Sequence, residues 1–188
     1  MTSTQRKWLR VSCGIVILAL GIEFLSYARF RWSVQHIKVP EGAWVEYVSA
    51  PTLGKPGYRI GLLTFSADKP VEYQCVLTDV PYTGTEIDLM IGVDRSLAQP
   101  LCASDTSVKM VLVVDSKKAE AKSKVSQLRF ADNRSKPELL AYDQGLLMMY
   151  PQISAGKGTI EIHFTYVPTG DLPKDRHLTL YVMSGGGK

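Results

Sequence analysis

Cysteine, histidine and the local signatures of catalysis are scarce in this chain. Three Cys exclude a small disulfide-stapled scaffold. Only His36, His163 and His177 are available to a His-rich metal centre. Gly-x-Ser-x-Gly, His-Glu-x-x-His and Cys-x-x-Cys do not occur, which removes the nucleophile elbow, the zinc-protease helix and the dithiol motif. Ser-x-x-Lys appears at Ser66–Lys69 and Ser154–Lys157, but without Ser-Asp-Asn or Lys-Thr-Gly, and both read as turns. No cofactor motif is found and none is expected; the chain reads as a non-enzyme.

Charge of one sign is also in short supply over most of the sequence. The net +4 of the 188 residues hides an asymmetry. Residues 1–38 carry six Lys/Arg against Glu23 alone, and residues 39–188 carry sixteen against seventeen Asp/Glu. The main part is therefore near neutral, which excludes a basic footprint for nucleic acid. With 45% hydrophobic and 21% charged residues the chain is neither disordered nor collagen-like.

The basic N-terminal part encloses an apolar run. Arg10 and Arg29 bracket Val11–Ala28, eighteen residues with one charge at Glu23. As a helix this run is ~27 Å long, close to the ~30 Å of a hydrocarbon core. Trp8 stands before it, and Tyr27, Phe30 and Trp32 stand at its far end, as interfacial aromatics do. We read residues 1–10 as a cytoplasmic tail, 11–28 as a transmembrane signal anchor and 29–42 as a juxtamembrane connector. The competing reading is a signal peptide cleaved after Ala28. At 100° per residue, Ser12, Val16, Ala19, Glu23 and Ser26 fall in a sector of roughly 80°. A small and polar face around an intramembrane acid suits a partner helix. The flanking charges, Arg6, Lys7 and Arg10 against Arg29, Arg31 and Lys38, leave orientation tied. Cys75 and Cys102, read as a disulfide, place the main domain outside the cytoplasm, periplasmic or extracellular.

Residues 43–184 read as one extracytoplasmic β domain, with 185–188 as a flexible tail. Period-two patterns over Ala43–Val48, Tyr58–Phe65, Val71–Leu77, Glu86–Val93, Val108–Val114, Thr159–Val167 and Leu178–Met183 predict strands separated by Pro- and Gly-bearing turns. The last two are expected to pair as a hairpin. Ser116–Lys124 lacks an apolar stripe and reads as a loop or short helix. Glu138–Tyr150 reads as two strands broken at Asp143-Gln144-Gly145. The expected fold is mainly β: an antiparallel β-sandwich, with the jelly roll as one form it can take, preceded by a single transmembrane helix.

Three sets of residues are candidates for contact. Ser12, Ala19, Glu23 and Ser26 would pack on another integral membrane subunit. Trp44, Tyr47, Tyr58, Tyr73 and Tyr82 would stack on or line a glycan or lipid. Lys117, Lys118, Lys122 and Lys124 form a basic run relieved by Glu120, suited to lipid headgroups or an acidic partner. Glu161 and His163 share one strand face, most simply as a solvated one. The expected function is an accessory subunit of a membrane complex; the alternative is a membrane-tethered ligand-binding module whose ligand the sequence does not name. The bilayer is the one partner both readings share.

Overall fold

The computed structural model describes residues 3–48, 56–81, 87–93, 95–124, 138–142, 146–150 and 158–184. The apolar run lies in α1 (Ser3–Gln35), 33 residues and therefore ~50 Å of continuous helix. Its stretch Ser12–Gln35 is long and apolar enough to cross a membrane. The helix does not stop at Ala28. It runs through Arg29–Gln35, and Val34 and Ile37 enter the domain core. The segment expected to be a connector is thus partly the last two turns of α1.

Ten strands follow among the described residues: β1 (Trp44–Val48), β2 (Gly57–Ser66), β3 (Val71–Val80), β4 (Ile87–Gly92), β5 (Ser107–Val114), β6 (Lys117–Lys124), β7 (Glu138–Tyr142), β8 (Leu146–Tyr150), β9 (Gly158–Val167) and β10 (His177–Ser184). They form two antiparallel sheets, one ordered β1-β2-β10-β4-β8-β7 and the other β3-β9-β5-β6. Both sheets contribute to one buried cluster, with Ile60, Leu89 and Leu180 from the first and Leu77, Leu112 and Ile162 from the second. Phe65 of β2 meets Phe164 and Tyr166 of β9 at ring-centroid distances of 5.5 and 5.2 Å. The Tyr166 hydroxyl donates to the carbonyl of Ala67 at 2.7 Å, so its polar end is satisfied inside the core.

Several expectations need correction. β9 and β10 are not a hairpin: β9 pairs with β3 and β5, and β10 with β2 and β4. Each strand has one face of alternating apolar residues, and that face can be buried without the two being neighbours. Residues 117–124 are a strand, joined to β5 by Asp115-Ser116 with φ of 47° and 64°. Positive φ at both central residues is the geometry of a type I′ hairpin turn, which Asn-Gly announces and Asp-Ser does not. Residues 95–103 form a second helix, α2 (Arg95–Ala103), around Pro100, with Leu97 and Leu101 buried one turn apart. The two strands expected around residues 143–145 are present as β7 and β8. The disulfide is not: Cys75 on β3 is a buried free thiol, while Cys102 lies in α2. The cysteine argument for an oxidising compartment therefore falls. Ser154–Lys157, Tyr82 and the tail 185–188 lie outside the described residues.

One close approach fixes the outer face of the larger sheet. Gly61 pairs with Trp44 on one side and Tyr181 on the other. A Cβ on Gly61 would lie 2.2 Å from the Trp44 ring, and one on Gly92 would lie 2.6 Å from the Tyr181 ring. The two rings meet edge-on at 5.8 Å above this glycine floor. Replacing Gly61 with Ala is expected to swing the Trp44 ring off the sheet, lowering stability by roughly 1–3 kcal/mol. Tryptophan emission and equilibrium unfolding of the full chain in detergent would both register the change. Gly61→Ala with Trp44→Ala should restore most of the loss.

Candidate functional site: the junction between helix and domain

The last turns of α1 carry an apolar series at helical spacing, Phe30, Val34 and Ile37. Val34 is fully buried, Ile37 nearly so, and Phe30 packs against the same cluster. Above Phe30, Tyr47 of β1 is held on three sides. Tyr27 approaches it edge-on at 5.4 Å, Phe30 at 6.3 Å, and the Arg31 guanidinium lies 5.7 Å from its ring centre. Aromatic pairs of this kind contribute about 0.5–1.5 kcal/mol each beyond their buried area. Burial raises the Tyr47 phenol well above its ordinary pKa, with Arg31 acting the other way.

Helix termination is equally specific. His36 Nδ1 donates to the Trp32 carbonyl at 2.7 Å, and its ring stacks on Trp32 at 3.9 Å. The Ser33 hydroxyl donates to the Arg29 carbonyl at 3.0 Å. The first of these contacts meets a carbonyl of the last turn, where partners within the helix run out; the second adds to a carbonyl one turn earlier. Two residues later the chain becomes part of the smaller sheet. Lys38 N–H donates to the Thr78 carbonyl at 2.9 Å, and Thr78 N–H donates back to the Lys38 carbonyl at 3.2 Å. A bulge in β3 accompanies this exchange. Leu77 pairs with Ile160 and Val80 with Gly158, leaving Thr78 and Asp79 opposite a single residue of β9. Asp79 adopts φ 60°, a conformation Asp tolerates better than most residues, and its carboxylate pairs with Lys38 Nζ at 2.8 Å. That carboxylate raises the pKa of the Lys38 ammonium.

Between α1 and the bulged end of β3 lies an open cavity of about 650 Å³. Ser26, Arg29, Phe30 and Ser33 form its helical wall, and residues 79–81 with Gly158 form the opposite wall. Ser12, Ala19, Glu23 and Ser26 are all exposed on α1. At 100° per residue they share a sector of roughly 100° with Phe30, Ser33 and Val34. The face proposed to pack in the membrane is thus continuous with the face that carries the β domain.

The other candidates are dispersed. Trp44, 43% exposed, is on the outer face of the larger sheet beside Tyr181, whose part the sequence reading missed. Tyr58 is fully buried, while Tyr47 and Tyr73 pack against the core. These aromatics make no common platform. Lys117, Lys118 and Lys122 are exposed on β6, and Lys124 closes that strand. Glu120 pairs with Lys118 at 2.8 Å and Lys109 at 2.9 Å, so the basic run is partly neutralised. Charged residues on a sheet-edge strand also discourage pairing with another chain. His163 is aligned with Val111 and Gln74, and His177 with Ser66, in different sheets. Ser66 donates to the Asp68 carboxylate and to the Lys174 carbonyl, as a turn serine does. Among the described residues, no three of His, Cys, Asp or Glu gather as a metal site.

No family, curated protein or solved structure matches this chain.

Two outcomes follow from this geometry. Val34→Ala should cost roughly 1–3 kcal/mol through lost burial and the cavity left behind. Limited proteolysis should then cut faster between residues 35 and 42. The lysine pair holds the Glu120 carboxyl down to about pKa 2. A depressed carboxylate pKa contributes stability above the ordinary glutamate range, and that contribution is lost as pH falls toward 2. An NMR titration should find Glu120 ionised well below pH 4, and Lys118→Ala should move its midpoint up.

Proposed function

We propose that the protein is a non-catalytic accessory subunit of a larger membrane assembly, docked through α1 and bracing its partner with the β domain. One observation carries this reading: the small, polar face of the helix and the β domain lie on the same side of α1. A partner helix packed against Ser12, Ala19, Glu23 and Ser26 would stand directly under the domain. Close helix approach needs small residues, and a carboxyl within the apolar span needs a donor from protein or water. Val34, Ile37 and the Lys38–Thr78 pairing then hold the domain over that partner without a free linker.

The strand orders support a finer description of the domain. A jelly roll arranges eight consecutive strands in two interleaved sheets of four, and β2 to β6 with β8 to β10 have that order. β1 and β7 extend the first sheet at its two ends. On this reading the domain is a jelly-roll sandwich standing on the membrane surface. The bracing role is the same on either side of the bilayer, because it depends on the junction alone.

Glu23→Leu tests the proposal. The variant should fold and insert as before, but co-purification of other membrane proteins in mild detergent should fall several-fold. An unchanged set of co-purifying chains would count against docking through this face.

A further inference from the structure

The cavity beside α1 lies where the helix leaves its apolar stretch. Ser26 is in the last turn of the apolar run, and Arg29 is the first cation beyond it. The hydrocarbon boundary of a membrane spanned by α1 therefore falls at the cavity floor, with the headgroup layer at the height of its walls. The charges on its rim are Arg29, Asp79 and Lys38. Asp79 is matched by Lys38 at 2.8 Å, whereas no acid pairs with Arg29 among the described residues. Among the described residues the rim thus has one positive charge in excess. Phe30 and Val80 supply apolar wall, and Ser26 lines the cavity at the end of the apolar run. A guanidinium binds a phosphodiester by charge-assisted hydrogen bonds, and one excess cation balances its single negative charge.

We propose that this cavity holds the headgroup of one membrane glycerophospholipid, its phosphodiester on Arg29 and its acyl chains descending along α1 on the Arg29 side, beside the face that would receive a partner helix. The site suits a lipid better than a soluble phosphate because Ser26 and Arg29 place it at the end of the apolar run and Phe30, Val80 and Pro81 line its walls. It requires that α1 span the membrane, and it does not depend on the subunit reading. Loss of lipid binding would leave the Glu23→Leu result untouched.

The test uses the full chain, delipidated in mild detergent and titrated with dioleoyl phosphatidylglycerol under native mass spectrometry. One lipid should be retained at activation energies that strip the rest. Arg29→Gln should weaken retention about tenfold, the scale of one lost charge-assisted pairing. Arg29→Lys should keep part of the binding, and Lys117→Ala with Lys118→Ala should leave it unchanged. Thermal unfolding of each variant in the same detergent would show that the fold is intact. Equal retention by wild type and Arg29→Gln overturns the proposal, as does the absence of a discrete single adduct. Glycerol 3-phosphate competing as well as the lipid would also overturn it, by placing a soluble phosphate site there. A photo-crosslinker at Ser33, which lines the cavity outside the docking face, should give lipid adducts in native membranes; protein adducts alone would overturn the proposal by assigning the cavity to a partner chain.

Discussion

A membrane helix that ends against a folded domain faces a constraint set by its backbone. Its last carbonyls have no partners within the helix, and the chain beyond them must be satisfied by water or by the domain. Here His36 and Ile37 meet the last carbonyls from the chain itself, and the domain takes up the backbone just beyond. The bulge in β3 turns the backbone of Thr78 to the Lys38 backbone, and the carboxylate of Asp79 meets the Lys38 ammonium. Val34 and Ile37 bring apolar surface into the common core at the same place. The exchange falls at the bulged end of β3, beside the cavity.

The rest of the domain is arranged so that this edge is free to receive the helix. β3 is the outermost strand of the smaller sheet, and β6 closes the opposite side. The two edges are treated differently. One is covered locally by the chain leaving α1, the other carries alternating lysines with Glu120. Both are established ways of keeping an unpaired strand from joining a second chain. At the interior, Phe65, Phe164 and Tyr166 tie β2 of one sheet to β9 of the other, so the helix docks on a body with a shared core.

Much of this was legible in the residues. Strand periodicity located most of the β elements, because a strand with one buried face repeats every second residue. The breaks came where that signal is weak or borrowed. β6 buries Ala119 but has no large apolar residue to mark its inner face. The strands β9 and β10 each alternate cleanly, yet alternation names a face and says nothing of the neighbour. The helical start of the connector carries no mark of its own, because Arg29 and Arg31 look like the close of a membrane segment. Phe30, Val34 and Ile37 continue the helical spacing past them, and that was the available signal. The disulfide was inferred from number and separation, which do not fix whether two thiols meet. Asp79 and Thr78 had no sequence signature at all, since a bulge is set by the pairing of two distant strands.

Val34 and Ile37 in the core and the Lys38–Thr78 exchange join α1 to the domain directly. A membrane helix longer than the local hydrocarbon thickness relieves the mismatch by tilting, with typical tilts of ~20°. In a protein with a slack linker that tilt would end at the headgroups. Where α1 spans a bilayer, this junction would carry the tilt into the domain, displacing a point about 30 Å from the pivot by about 10 Å. Bilayer thickness would then set the lateral position of the β domain.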